Sequence, residues 1–259
     1  VAALGSESEL DNTFRPMCGN LGALHGALLV TGSAGEPAQD LAADEWLAEE
    51  LARRPGGAPL LRIWEARRSA VVLGAGGRRG QEVEPGVAEA RGVPVLRRRS
   101  GGGTVLIGPG CLCYSIMIRL DTAPRLLNVA WSIATLQGLI ATLVGAGLRV
   151  AEGDLVIGER KVGGCAQRRS AGVLLHHGTL LYEPPLGLMT ALLCEPLRRP
   201  AYRRGRRHAE FVGALPLGRE DIRRSLMATT AGRQALPTAA QLAPLLAARY
   251  ANPVWIQRL

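Results

Sequence analysis

The chain alternates short apolar runs with glycine- and proline-bearing turns, and that pattern predicts an α+β protein. Residues 27–30 (ALLV) read as a strand. In PAQDLAADEWLAEELARR, which follows, Leu41, Trp46, Leu47 and Leu51 fall close to helical spacing, so an amphipathic helix is expected, ended by Pro55, Gly56 and Gly57. LLRIWEA (60–66) and SAVVLGA (69–75) are strands joined by a short basic turn; VEPGVAEARG (83–92) is a short helix and VPVLRR (93–98) another strand. TVLI (104–107) and CLCYSIMIRL (111–120) flank the turn Gly-Pro-Gly, and the second run is apolar enough for burial on both faces. Residues 126–145 (LLNVAWSIATLQGLIATLVG) form the longest helical pattern. The stretch LRVAEGDLVIGERKVGGCAQRRSAGVLLHHGTLLYE (148–183) reads as a meander of strands broken by turns at GER, GG and SAG, with one long crossover helix before it. Downstream come a helical LGLMTALL (186–193), a basic stretch at 198–207, and helices at 220–229 and 239–250.

There is no internal repeat and no low-complexity linker. The economical reading is one α+β domain over residues 23–259, behind a polar N-terminal extension at 1–22 and without a separate C-terminal accessory domain. At 259 residues and 47% hydrophobic content the chain can bury a sizeable core. No apolar run approaches the ~18 to 20 residues that cross a bilayer, and the first residues lack a basic segment followed by an apolar one. A cytoplasmic location without a membrane partner is expected. The five cysteines (Cys18, Cys111, Cys113, Cys165, Cys194) are odd in number and lack paired CxxC spacing, so neither a disulfide framework nor a protein-held metal is expected.

The net charge of +9 attracts anionic molecules, acidic proteins or nucleic acid. Aromatic residues make up only 4%, too few for a base-stacking platform, which disfavours nucleic acid as a partner. The excess charge sits in arginine clusters, and Lys161 is a rare exception.

Candidate chemistry concentrates in two segments. RRRSGGGTVLIGPG (97–110) sets Gly101, Gly102 and Gly103 between cationic and apolar residues, where backbone must reach φ > 0 or approach something closely. Such a loop can turn successive N–H groups toward an anion, and Arg98 could add a two-pronged contact to phosphate or carboxylate; the alternative is a surface hairpin with solvated arginines. In EGDLVIGERKVGGCAQ, Lys161 could sit beside that loop and stabilise developing negative charge, or be a solvated lysine at a hairpin end. His176 and His177 occupy consecutive strand positions and face opposite ways, which argues against a shared metal. Cys165 could be a nucleophile with a lowered pKa; a small residue in a tight turn is the favoured reading. GAGGRRG (74–80) fails the dinucleotide spacing, and no phosphate-binding Gly-Lys-Ser/Thr follows either glycine cluster.

Taken in order, DLAADE (40–45), RRRSGGGTVLIGPGCLCYS (97–115), GDLVIGERKVGGCAQRR (153–169) and LLHHGTLLYE (174–183), with a helix between the second and third, resemble the lipoate–protein ligase family of the biotin/lipoate protein ligase superfamily. The resemblance runs roughly from Leu28 to Leu215 and implies the catalytic domain alone, with mixed or antiparallel sheets flanked by helices. It implies that Arg98, Ser100, Gly101, Gly102 and Gly103 line an acyl-adenylate pocket bordered also by Asp154, Gly164, Ala166, His177, Gly178 and Thr179. Lys161 would contact the carboxyl and phosphate oxygens of the intermediate. The implied reaction activates lipoate or octanoate with ATP and magnesium as an acyl-AMP. The acyl group then passes to a lysine of an acidic lipoyl carrier domain or glycine-cleavage carrier protein, with an accessory subunit as a possible aid to adenylation. Alternatives within the fold are an octanoyl-[carrier protein]:protein octanoyltransferase using a thioester on Cys165, biotin transfer, and a noncatalytic lipoyl-binding homologue. Three positions depart from the family pattern: Ile107 stands at its histidine position, Gly163 replaces a serine, and LGAGGRRGQEVE lacks Gly-x-x-Gln-Asn.

Overall fold

The computed structural model describes Leu24 and residues 26–258; the N-terminal extension at 1–22, Cys18 included, lies outside the described residues. The fold is α+β, with two mixed sheets flanked by helices. The larger sheet is built from β1 (Ala27–Thr31), β2 (Leu60–Trp64), β6 (Cys111–Arg119), β7 (Arg149–Ala151), β8 (Asp154–Ile157), β9 (Arg160–Ser170), β10 (Val173–Leu181) and β11 (Thr230–Arg233). Its order is β11-β1-β2-β6-β10-β9-β8-β7, parallel from β11 to β2 and antiparallel beyond. The smaller sheet has the order β4 (Val95–Arg97), β3 (Ala70–Leu73), β5 (Val105–Ile107).

The two sheets divide strands that are neighbours in sequence. β2 and β3, expected as a connected pair, belong to different sheets, and so do β5 and β6. Periodicity locates an apolar strand but not its hydrogen-bond partner, which is chosen by long-range closure of the ladder. A second expectation is corrected within β9. Gly163 and Gly164 form no turn, for the strand runs unbroken from Arg160 to Ser170. A Cβ on Gly163 would lie 2.4 Å from the carbonyl oxygen of Thr179, so this glycine serves close approach between strands.

β6 is the axis of the core. Its residues are buried on both faces, as its uniform apolarity implies. Alternation sends Tyr114, Ile116 and Ile118 toward α4 (Val129–Val144), where they pack with Leu136 and Ile140. On the other face Met117 meets Leu47 and Leu51 of α1 (Pro37–Ala52). Pro37 opens α1 and Asn128 caps α4, its side chain accepting from Trp131 N at 2.9 Å. Short helices α2 (Arg79–Glu82), α3 (Val87–Ala90), α5 (Leu186–Leu192) and α6 (His208–Phe211) surround the smaller sheet; α7 (Arg219–Met227) contributes Ile222 and Leu226 beside α4. The helix expected at 239–250 becomes α8 (Ala239–Leu245), which contains Pro244, followed by a wide π turn to Tyr250 and then α9 (Pro253–Gln257). Among the described residues no helix is long and apolar enough to cross a membrane.

Candidate active site

The site rests on a buried charge network, two members of which lie in DLAADE (40–45) but carry no role in the sequence reading. Asp40 and Asp44 stand four residues apart on α1 and so share its inward face. Between them and the sheet lies the fully buried Arg62 of β2. Its Nη2 donates to Asp40 Oδ1 at 2.6 Å, while Nη1 donates to Asp44 Oδ1 and to the Asp40 carbonyl, both at 2.7 Å. Ser33 Oγ donates to Asp40 Oδ2 at 2.8 Å, and Ser115 Oγ to Asp44 Oδ2 at 2.7 Å. Burial pushes the Asp40 carboxyl up despite Arg62. Burial pushes Asp44 up as well, but Arg62, His177 and Ser115 together outweigh it and hold this carboxyl below its ordinary range. The signal was present in the sequence: one arginine inside the apolar run LLRIW, and two aspartates at i and i+4 of a helix otherwise apolar on that side.

Above this base, His177 of β10 links the network to the glycine loop. Its Nδ1 lies 3.7 Å from Asp44 Oδ2, and its Nε2 is 2.6 Å from Ser100 Oγ. His176 faces the other way, as strand alternation requires; it is fully buried against Tyr114, and its Nδ1 is 2.9 Å from Gln167 Nε2. Burial lowers its pKa to about 3, so it is neutral in the fold.

The three consecutive arginines of the loop are engaged with protein groups rather than solvated. Arg97 is fully buried and donates to the carbonyls of Gly74, Gly77, Ile256 and Arg258. Arg98 donates from Nε to Ser100 Oγ at 2.9 Å, and from Nη2 to the carbonyls of Gly101 and Gly103 at 2.7 and 2.9 Å. It therefore curls the glycine loop around its own guanidinium, and burial lowers its pKa to about 10. Arg99 pairs with Glu45. Of the three glycines only Gly102 has positive φ, at 86°. A Cβ on Gly101 or Gly103 would meet nothing within 4 Å, whereas one on Gly74 would strike the Gly102 carbonyl oxygen at 2.0 Å.

The loop borders a cavity of ≈ 500 Å³. Arg98, Gly103, Asp154, Lys161, Gly164, Cys165, Ala166, His177, Gly178 and Thr179 line it, whereas Ser100, Gly101, Gly102, Gly163 and His176 do not. Ser100 is buried behind His177. Pairing sets Gly164 opposite Thr179 and Ala166 opposite His177, which brings these four residues to one face of the sheet. Lys161, the chain's only lysine, folds back over Gly164, and its Nζ lies 2.8 Å from Asp154 Oδ1. A Cβ on Gly164 would lie 3.0 Å from Lys161 Nζ and 3.1 Å from Asp154 Oδ1, so glycine there leaves room for the pair. Val72, Leu106, Ile107 and Leu193, which belong to one core cluster, add an apolar stretch of wall.

Cys165 alternates with Gly164 and Ala166 along the strand, paired with Gly178 and so beside Tyr114, and it too borders the cavity. Its thiol lies 3.5 Å from the Gly153 carbonyl oxygen. Burial and then Asp154 push the thiol up to about 12, with Lys161 opposing; the lowered pKa considered for a nucleophile is thus reversed. Among the described residues no three His, Cys, Asp or Glu side chains gather into a metal cage.

Comparison with known proteins adds to this geometry. A sequence model of the lipoyl protein ligase A/B catalytic domain matches residues 36–210. A candidate lipoate-protein ligase A from Aeropyrum pernix is 33% identical over 176 residues, 66% of this chain and 64% of that protein. Human mitochondrial lipoyl amidotransferase is 27% identical over 183 residues, 70% of this chain and 48% of that protein. The chain thus spans less than two thirds of the length of these relatives. Among solved structures, a candidate lipoate protein ligase from Thermoplasma acidophilum with bound lipoic acid matches with a TM-score of 0.71 at 20% identity, over 91% of this chain and 99% of that one. A structure from work on a bi-partite lipoate protein ligase and its E2 lipoyl domain from the same organism matches with a TM-score of 0.68 at 21% identity, over 91% of this chain and 97% of that one. At such identities the structural likeness speaks to the fold alone.

Proposed function

Because the chain belongs to the lipoyl protein ligase A/B catalytic domain family, we propose that it transfers a lipoyl or octanoyl group, activated as acyl-AMP, to a lysine amine of a lipoyl carrier domain. The observation that carries this reading is the Lys161–Asp154 pair at the wall of a cavity that has an apolar stretch of wall and is bordered by the glycine loop. An acyl chain suits the apolar stretch of wall formed by Val72, Leu106 and Leu193. Gly101 and Gly103 leave the loop backbone open for a phosphate to approach.

In the transfer step the carrier amine attacks the acyl carbonyl. A C–N bond forms, the C–O bond to phosphate breaks, AMP leaves, and the ammonium loses a proton. Lys161 would shift its ammonium from Asp154 to the carbonyl or phosphate oxygen where negative charge accumulates. Magnesium would be brought in on the nucleotide phosphates, since Asp40 and Asp44 are held by Arg62 and Asp154 by Lys161. The net charge of +9 would steer an acidic carrier domain toward the site, in a salt-dependent manner.

The test is the intact mass of an acidic lipoyl carrier domain after incubation with the protein, ATP, magnesium and lipoate, beside a reaction given preformed lipoyl-AMP. A mass gain in both identifies a self-sufficient ligase. A gain with lipoyl-AMP alone identifies a transferase that relies on a separate activating partner. No gain in either removes the reading and brings octanoyl transfer or pure binding forward.

A further inference from the structure

The basic stretch at 198–207 has no part in the roles described so far, yet it reaches the reactive lysine. Tyr202 lies in a single 3₁₀ turn, Ala201–Arg203, and its phenol donates to Asp154 Oδ2 at 2.9 Å. The other oxygen of the same carboxylate, Oδ1, faces Lys161 Nζ at 2.8 Å. One carboxylate is therefore divided between a tyrosine and the lysine. The turn itself is docked on three sides. Ala201 N donates to Glu152 Oε1 at 2.9 Å, Arg203 Nη2 to Glu195 Oε2 at 2.5 Å, and the Tyr202 ring rests against Phe211 with centroids 5.1 Å apart. Further along the same segment, Gly213 N donates to the Lys161 carbonyl at 2.8 Å. Residues 201–213 thus grip Lys161 twice, at its backbone directly and at its side chain through Asp154.

We propose that Tyr202 is a positioning residue for Lys161: by holding Asp154 Oδ2 it fixes the carboxylate, so that the ammonium stays aimed into the cavity and can leave Oδ1 for an oxygen of the substrate. A carboxylate held by the ammonium alone would rotate with it and keep pairing as it moved, while one already anchored at Oδ2 presents a single oxygen from which Lys161 can part. The inference rests on the acyl-transfer reading of the same cavity. It adds a residue on an arginine-rich turn far from either sequence segment that carries the chemistry.

The experiment compares the full chain as wild type, Tyr202→Phe, Asp154→Asn and the double variant. Phenylalanine keeps the ring against Phe211 and removes only the hydroxyl. Transfer from preformed lipoyl-AMP to a carrier domain is followed by intact mass, and, separately, acetylation by N-hydroxysuccinimidyl acetate is read by peptide mass at Lys161, the chain's only lysine. In Tyr202→Phe, kcat falls about tenfold to a hundredfold while KM for lipoyl-AMP stays unchanged, as expected when orientation rather than binding is lost. The double variant is no slower than Asp154→Asn, because both changes act through one carboxylate. Acetylation of Lys161 slows severalfold in Tyr202→Phe, since a carboxylate no longer anchored at Oδ2 turns with the ammonium and keeps it paired. Wild-type kcat and labelling in Tyr202→Phe, or additive losses in the double variant, overturn the proposal. If the wild-type protein transfers nothing while labelling still separates the two forms, the acyl-transfer reading falls and the positioning role stands.

Discussion

Ser100 Oγ lies 2.6 Å from His177 Nε2 and ties the ring to the glycine loop. The same hydroxyl oxygen accepts from Arg98 Nε at 2.9 Å. A guanidinium can only donate, so the Ser100 oxygen accepts there, while the other ring nitrogen of His177, Nδ1, lies 3.7 Å from Asp44 Oδ2. The glycine loop and the buried Arg62–Asp44 pair are thereby joined through one ring that borders the cavity.

Ser100→Ala removes the shared hydroxyl and leaves Arg98 Nε without its partner. The expected loss of stability is about 1 to 3 kcal/mol, the range for an orphaned buried donor. Urea unfolding measures it. KM for lipoate or lipoyl-AMP rises in the same variant as His177 and the loop lose their common anchor; an unchanged KM would show that the ring is held by other contacts.

Lys161→Ala separates function from fold. The Lys161–Asp154 pair is partly exposed, so its removal changes stability by at most about 1 kcal/mol, while loss of a charge donor at the reacting oxygens lowers kcat by roughly 10²- to 10³-fold. Full turnover in a folded Lys161→Ala protein would remove the acyl-transfer reading. Thermal melting and single-turnover transfer from lipoyl-AMP are the measurements.

Cys165→Ser keeps turnover within about twofold, because a thiol pushed up to about 12 holds almost no thiolate at neutral pH. The wild-type thiol also reacts slowly with iodoacetamide. Abolished octanoyl transfer in Cys165→Ser would instead establish a thioester route.

His176 gives the fold an acid-sensitive component. Its folded pKa, about 3, lies below the ordinary 6.5, so the unfolded chain takes up a proton below pH 6.5 that the folded chain refuses until about pH 3. The contribution is complete above pH 6.5, and stability falls as the pH drops from 6.5 toward 3, by up to about 1.4 kcal/mol per unit. In His176→Leu this slope is absent. Urea midpoints at a series of pH values, wild type against variant, decide it; parallel slopes would mean that other groups govern acid unfolding.

Local pattern was enough to place most elements and the two chemical segments. The apolar uniformity of CLCYSIMIRL announced a strand buried on both faces, and consecutive histidines in a strand had to diverge. Lys161 stood out as a lone lysine among arginines, and three glycines between charge and apolarity marked a loop of unusual backbone. Each of these follows from steric rules that act over a few residues.

What required the tertiary structure was every choice of partner. That β2 and β3 go to different sheets and that Gly163 faces a carbonyl instead of a turn follow from ladder register, which depends on strands far apart in the chain. The arginines of RRRS carry no mark telling solvent from protein acceptor, yet burial sends Arg97 and Arg98 to backbone carbonyls, where a donor left unpaired would be costly. Tyr202 lies 48 residues from Asp154 in sequence, and its contact with that carboxylate exists only because the basic turn folds back over β8. Sequence determined which residues could do the chemistry; the closure of the sheets decided which of them meet, because pairing energy is settled between segments and not within them.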